Sequence, residues 1–269
     1  MHSGFRRLSL AAMLLLSAPL LAEQFTLMSS PQYPPDQASQ VFQPLVDYLA
    51  AKTGHSIRLQ TPRDYQAFWI QLRRGEVSDL MLSDAPVTNL LTQRHQYQLV
   101  ARVAEDVQFS LLTTGDRADD PTSAFIGYNI STLPSPSLGY LVLADHYDNP
   151  LAQPEIKSNA RSWLDAIEMV FAMEADAAMA PSWLTERYPN LYPVYSSKSY
   201  PGLTLSAAPD VAEEVTQALQ QALLVLHEDP QFYAALNELN ASQFVVPQAD
   251  DYRGMMQMLG TMFGYAQND

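Results

Sequence analysis

Apolar and polar residues alternate along the chain with two different periods. Between residues 37 and 52 the apolar side chains recur every three or four positions, which predicts an amphipathic helix. A short apolar run at 25–28 and an alternating segment at 56–60 predict a strand on either side of it. A helix that Asp64 caps and that ends near Gly75 continues the alternation, followed by a strand at 79–82. This order is typical of a sheet with helices packed on its faces.

A second series of elements begins after the polar, turn-rich segment 115–121. It comprises a strand at 125–128, a helix from 138 to about 147, a helix at 160–174 and a strand at 175–180. A further helix is expected to start at Pro181. The repetition predicts an α/β protein of two lobes, each a mainly parallel sheet flanked by helices.

We expect residues 23–115 and 203–269 to form lobe 1, which includes the C-terminal helices, and residues 116–202 to form lobe 2. The strand predicted at 107–114 thereby belongs to lobe 1. The strand predicted at 203–207 leads back to that lobe.

The loop at 133–140 is the first candidate binding segment. Two prolines end the preceding element, and Ser135 or Ser137 can cap the helix that follows. The first amides of a helix have no internal partner and lie at the positive end of its dipole, so such a loop can hold an anion. The alternative is a capped helix start without a ligand.

Three further loops follow predicted strands, at 29–33, 61–65 and 83–86. Ligands bind at the carboxyl ends of the strands in sheets of this kind. Tyr65 is either a ligand contact or a half-buried packing residue. Asp84 is more readily a helix cap than a contact, because an acid repels an anion unless it accepts a proton from it.

The first 22 residues have the pattern of a signal peptide. Arg6 and Arg7 precede an apolar run at 8–21, and cleavage is expected after Ala22. The run is short for a membrane span, although an uncleaved anchor is the alternative. Export together with the lack of any cysteine favours the bacterial periplasm.

The chain carries a formal net charge of −14. Such acidity argues against nucleic acid as a partner, because neutralising phosphates requires clustered Lys and Arg. The five histidines are scattered, and neither metal-ligand spacing nor a catalytic motif is found. We therefore expect no enzymatic activity, no metal and no cofactor.

Taken in order, several segments resemble one family, the periplasmic solute-binding proteins of ABC importers that bind phosphate, phosphite or phosphonate, with the type II periplasmic binding fold. The segments that carry the resemblance are 44–49, 64–65, 75–80, 135–140 and 174–178. The chain departs from the family pattern at 136–138, where the family tends to have three hydroxyl residues, and at 159–161, where many members have a histidine.

The resemblance implies two lobes that close over a ligand in the cleft between them, with Tyr65 on one side and the loop before Tyr140 on the other. Combined with the strand-end loops, it gives this set of expected ligand-binding residues: Tyr65, Ser83, Asp84, Ser135, Ser137, Leu138, Gly139, Tyr140 and Ser182.

The function implied is capture of a small oxyanion, such as a phosphonate or phosphate, for an ABC importer by a protein that is expected to be a monomer. Its membrane partner would be an ABC permease or a membrane sensor. Two alternatives stay open: a sensor subunit that presents a solute to a signalling receptor, and an interaction module that has lost the family's ligand.

Overall fold

Two β-sheets covered by helices make up the protein over residues 23–263, the part of the chain that the computed structural model describes. The predicted signal peptide lies outside these residues. The first elements are β1 (Gln24–Ser29), α1 (Pro35–Thr53), β2 (Ser56–Gln60), α2 (Tyr65–Arg74), β3 (Leu80–Ser83), α3 (Ala85–Arg94) and β4 (Gln98–Val103).

The chain then crosses to the second sheet and returns. The second group is β5 (Val107–Thr114), β6 (Asn129–Ser131), α4 (Leu138–His146), β7 (Glu155–Lys157), α5 (Trp163–Phe171), β8 (Ala177–Pro181) and β9 (Leu191–Tyr200). The last group is β10 (Thr204–Ala207), α6 (Glu213–Leu224), α7 (Tyr233–Asn237), β11 (Phe244–Val245) and α8 (Gln257–Phe263).

Among the described residues, the first sheet has the strand order β11-β4-β10-β3-β1-β2, and the second has the order β7-β6-β8-β5-β9. The two-lobed α/β architecture is therefore confirmed. Both sheets are mixed: β1 pairs in parallel with β2 and β3, and β6 does so with β7 and β8, while β5 and β10 are antiparallel to their neighbours.

Strand β5 differs from the expectation about the lobes. It was placed in lobe 1 on the basis of the polar segment that follows it, but it pairs with β8 and β9 of the second sheet. The crossing between the sheets therefore occurs at 104–106, before β5. This pairing joins residues that are more than 60 positions apart, so no local signal reveals it.

Local sequence explains where the helices begin and end. The Asp64 carboxylate accepts a hydrogen bond from the Ala67 amide (2.7 Å) and caps α2, as predicted. Gly54 and Gly75 end α1 and α2 at φ values of 73° and 68°, in the left-handed region that glycine adopts without steric cost.

Two predicted elements take other forms. The strand expected at 125–128 begins later, at Asn129, and is preceded by a short 3-10 helix, Thr122–Phe125. The helix expected after Pro181 is a single 3-10 segment, Ser182–Glu186. Gly127 has a φ of 79°, a turn conformation that a regular strand does not contain, which explains the later strand start.

The apolar face of α1 packs against the C-terminal helices α6 and α7, which joins the two ends of lobe 1. The buried Tyr48 hydroxyl donates to the Ala222 carbonyl (2.6 Å) across this contact. Within residues 23–263, no helix combines the length and the apolar character needed to cross a bilayer.

The two crossings between the sheets lie side by side. The first connects β4 to β5, and the second connects β9 to β10 through Gly202. The Val103 amide donates to the Leu203 carbonyl (2.9 Å), which ties the crossings together. A side chain at Gly202 would collide with the Glu105 carbonyl, so the close approach requires glycine.

Candidate functional site

A cavity of about 410 Å³ lies between the two sheets. Lobe 1 contributes Gln32, Tyr33 and Asp84, which follow strands β1 and β3. The second sheet and its helices contribute Phe109 and Trp163 among others, and the two crossings and residues 237–240 complete the wall. A cavity bounded by both sheets at the carboxyl ends of strands is a common location for ligands in α/β proteins.

Acids dominate the charged part of the cavity wall. Five of the described lining residues are charged: Asp84, Glu105, Asp106, Arg187 and Glu238. Only Arg187 is a cation, and its guanidinium lies 5.1 Å from the centroid of the Trp183 ring. A ligand in this cavity therefore meets few fixed positive charges.

Two of these acids have partners within the protein. The Glu105 carboxylate accepts a hydrogen bond from the Ser242 amide (3.1 Å), and the Asp106 carboxylate pairs with Arg102 (2.9 Å). Both acids are exposed and lie on the first crossing.

Asp84 differs from them because it is buried, with 8% of its surface exposed. It occupies the N-cap position of α3, yet its side chain makes no capping hydrogen bond, so the prediction that it caps this helix is wrong. Pro86 removes one helix-start amide, and Asp84 Oδ1 instead accepts a hydrogen bond from Gln32 Nε2 (2.8 Å). Burial raises the pKa of Asp84 to about 6.

Three buried hydroxyls accompany Asp84 at the strand ends of lobe 1. Ser29 ends β1 and Ser30 follows it, and Tyr65 begins the helix after β2. The Oγ atoms of both serines and the Tyr65 Oη have no hydrogen-bond partner among the described residues. Burial raises the pKa of Tyr65 well above its usual range, and the nearby charge of Asp84 raises it further.

Strand register brings these groups to one edge of the sheet. Ser29 pairs with Leu82 in the parallel ladder of β1 and β3, and Asp84 lies two residues farther along. Buried hydroxyls are normally hydrogen-bonded, so three unpaired ones at one edge of the sheet are candidates for ligand contact, and none of the three is among the residues of the described cavity wall. The sequence pointed to the loop at 29–33, but Ser29 and Ser30 were not among the expected ligand-binding residues.

The start of α4 is capped as the sequence suggested, and Ser137 provides the cap. Its Oγ accepts a hydrogen bond from the Tyr140 amide (3.3 Å) and donates to the Leu133 carbonyl (3.0 Å). The cavity wall beside this helix start is formed by Trp163 and Phe109. A Cβ atom at Gly139 would lie 2.9 Å from the Trp163 ring and 3.0 Å from the Phe109 ring.

The two rings therefore cover the start of α4 in this structure. The five expected residues of this loop, at 135 and 137–140, are absent from the described cavity wall.

The other two expected serines have partners in the protein. Ser83 Oγ lies 2.9 Å from Thr88 Oγ1, and Ser182 Oγ lies 2.7 Å from Ser110 Oγ. Ser182 lies between two residues of the cavity wall, Pro181 and Trp183. Of the nine expected residues, the structure thus places Asp84 on the described cavity wall, and Tyr65 is buried off that wall.

Comparison with known families gives one match that covers most of the chain. The profile of a family described as ABC transporter, phosphonate, periplasmic substrate-binding protein matches residues 27–252. Comparison with curated protein sequences gives no significant match.

Several solved structures share the fold. PhnD1 of Prochlorococcus marinus, in complex with methylphosphonate, has a TM-score of 0.74 at 14% identity, and the alignment covers 89% of this chain and 98% of that one. A binding protein component of an ABC phosphonate transporter from Pseudomonas aeruginosa has a TM-score of 0.71 at 15% identity, with coverages of 88% and 86%. A Xanthomonas citri protein bound to ATP has a TM-score of 0.69 at 17% identity, with coverages of 88% and 95%.

Proposed function

The chain belongs to the family of periplasmic substrate-binding proteins of ABC phosphonate transporters, and from this premise we propose that it captures a small phosphorus oxyanion between its two lobes and delivers it to an ABC permease. Membership in this family implies a periplasmic location and a binding role, not an enzymatic one.

The observation that carries the proposal is the set of unpaired hydroxyls at the edge of the lobe 1 sheet. Ser29, Ser30 and Tyr65 are all at most 2% exposed, and their side-chain oxygens lack partners among the described residues. Once such groups are exposed to the cavity, the oxygens of a phosphonate or phosphate can accept hydrogen bonds from them, and an ionised acceptor strengthens these bonds. A cavity of about 410 Å³ accommodates a ligand of this size.

Arg187 and the covered start of α4 supply the remaining favourable groups. Arg187 lines the cavity from the second lobe and can donate to an oxyanion. Movement of Trp163 and Phe109 on lobe closure would expose the α4 amides to the ligand. In this proposal closure excludes water, which strengthens every polar contact with the ligand.

A calorimetric and thermal-shift screen of the exported protein tests the proposal. The panel contains phosphate, phosphite, methylphosphonate, sulfate and acetate. A ligand that binds only the folded state stabilises it by about 2.7 kcal/mol at 100 times its dissociation constant, which produces a clear rise in Tm.

We expect at least one phosphorus oxyanion to raise Tm, and acetate to leave it unchanged. Stabilisation by none of the phosphorus oxyanions would contradict the proposed ligand class while leaving the family assignment intact.

A further inference from the structure

Aromatic rings from both lobes lie on the described cavity wall. Tyr33 and Phe42 of lobe 1 pack edge to face, with ring centroids 6.1 Å apart. Phe109 and Trp163 of the second lobe pack in the same way, at 5.2 Å. Trp183, on the 3-10 segment Ser182–Glu186 of the second lobe, is a further ring on the wall. Each lobe thus presents aromatic surface to the cavity.

Aliphatic side chains extend this apolar surface. Leu164 and Leu184 of the second lobe and Leu239 of lobe 1 lie on the wall with the rings. Leu164 is 37% exposed and Leu239 is half-buried, so part of their apolar surface is accessible to a ligand. Accessible apolar surface in a concave site favours a ligand that removes it from water.

The charged residues of the wall favour neither a bare anion nor an ammonium group. Arg187 is the one cation among the described wall residues, and it is exposed and lies over the Trp183 ring. Of the four acids, Asp84, Glu105 and Asp106 already have a hydrogen-bond or ion-pair partner within the protein. Apolar contact is therefore the largest source of binding free energy that this wall offers.

The size of the cavity agrees with a ligand that carries more than a small anionic group. Its volume of about 410 Å³ lies within the range of roughly 300–1,000 Å³ that holds drug-sized molecules. Methylphosphonate, whose one carbon is a methyl group, leaves much of this volume and most of the apolar wall without contacts.

Tyr33 and Trp183 are the rings best placed to meet a ligand. Both are half-buried, whereas Phe42, Phe109 and Trp163 are at most 5% exposed. Tyr33 belongs to lobe 1 and Trp183 to the second lobe, so a group held between the lobes can contact both.

We propose that the ligand of this cavity is a phosphorus oxyanion with a bulky apolar substituent, such as an aryl ring, and that Tyr33 and Trp183 contact this substituent from opposite lobes. The inference rests on the proposed function and names the substrate class for it. The oxyanion is the group that the proposed function supplies, and the rings select what is attached to it.

Titration calorimetry of the exported protein with methylphosphonate, phenylphosphonate and 2-aminoethylphosphonate tests the inference. The three ligands share the phosphonate group, so the ratios of their affinities isolate the contribution of the substituent. At pH 7 we expect phenylphosphonate to bind about 10- to 100-fold more tightly than methylphosphonate, the effect of removing one aromatic ring from water. Its heat-capacity change on binding should also be more negative, since more apolar surface is buried.

Trp183→Ala and Tyr33→Ala should each reduce the phenyl-to-methyl affinity ratio severalfold. The two residues lie on different lobes, so each variant tests the contact independently if the other fails to fold. Tyr188→Ala is the matched control. Tyr188 is a half-buried ring close to the same 3-10 segment, but it packs on Phe171 (5.8 Å between centroids) and is not among the residues of the described wall. This variant should keep the ratio of the unmodified protein.

The outcomes separate the two proposals. Equal affinity for methylphosphonate and phenylphosphonate, tightest binding of 2-aminoethylphosphonate, or an unchanged ratio in both ring variants would overturn the apolar substituent while the oxyanion function stands. Binding of inorganic phosphate without binding of any phosphonate would do the same. Failure of every phosphorus oxyanion to bind would overturn both.

Discussion

Two buried tyrosine hydroxyls show how the same chemical group can serve stability at one position and binding at another. The Tyr48 hydroxyl donates to a backbone carbonyl, that of Ala222, whereas the Tyr65 hydroxyl has no partner among the described residues. A satisfied buried hydroxyl contributes about 1 kcal/mol to stability, and an unsatisfied one detracts from it.

Replacing each tyrosine by phenylalanine makes this contrast measurable. Tyr48→Phe should lower the free energy of unfolding by about 1 kcal/mol and leave the affinity for methylphosphonate unchanged. Tyr65→Phe should leave the unliganded protein as stable or more stable, and weaken methylphosphonate binding by about tenfold. Urea unfolding and calorimetry on both variants check the prediction, which fails if Tyr65→Phe binds as tightly as the unmodified protein.

The raised pKa of Asp84 predicts that the stability of the folded protein depends on pH. Its pKa in the folded protein is about 6, compared with 3.8 for an ordinary aspartate, so between these values the folded state binds more protons than the unfolded state. Stability therefore decreases as the pH rises from about 4 to 6, and it stays reduced above that pH.

Asp84→Asn removes this titration. The variant should be more stable than the unmodified protein by about 2 to 3 kcal/mol at pH 8, and the gap should nearly close at pH 4. Urea unfolding at both pH values measures the difference, with Asp47→Asn as the control. A stability gain that is the same at pH 4 and pH 8 would argue against a perturbed Asp84.

At the scale of elements, most helix boundaries and most strands could be predicted from sequence because they depend on nearby residues. Asp64 and Gly75 bound α2 as predicted, since each acts within one turn of the chain. The sheet to which β5 belongs could not be predicted, because its pairing with β8 and β9 depends on distant residues.

The candidate site was predicted only in part for a similar reason. Asp84 lies on the described cavity wall at a strand end, where a rule that local sequence can apply predicts ligand contacts, and the ligand-binding roles of Asp84 and Tyr65 stay predictions. Trp163 and Phe109 cover the start of α4 through tertiary packing with Gly139. These three residues are separated pairwise by 24 to 54 positions, and the sequence carries no signal for the contact.

The paired crossings between the sheets provide a prediction at this scale. Gly202→Ala would place a Cβ atom against the Glu105 carbonyl, a backbone atom that cannot rotate away. We expect the substitution to lower the free energy of unfolding by about 1 to 3 kcal/mol, the usual effect of overpacking. Gly54→Ala serves as a comparison for glycine replacement without crowding, because nothing lies within 4 Å of that position, although its positive φ adds strain. A smaller loss in Gly202→Ala than in Gly54→Ala would contradict the crowding argument.

At the scale of the whole molecule, an acidic protein that captures an anion must overcome its own electrostatic field. The chain has a formal net charge of −14, and three exposed acids, Glu105, Asp106 and Glu238, lie on the described cavity wall. Selectivity must therefore arise from short-range hydrogen bonds, since the long-range field repels the proposed ligand.

Salt should consequently accelerate capture of the ligand. Dissolved ions screen charges beyond about 10 Å at 0.1 M, which weakens the repulsion during approach and leaves the short contacts in the closed cavity nearly unchanged. Stopped-flow fluorescence from Trp163 and Trp183, which line the cavity, can follow methylphosphonate binding at pH 7. The association rate constant should rise about two- to fivefold between 10 and 150 mM salt, while the dissociation rate constant changes less. A rate that falls with salt would instead indicate attraction at long range, as expected for a cationic ligand, and would count against an oxyanion as the natural solute.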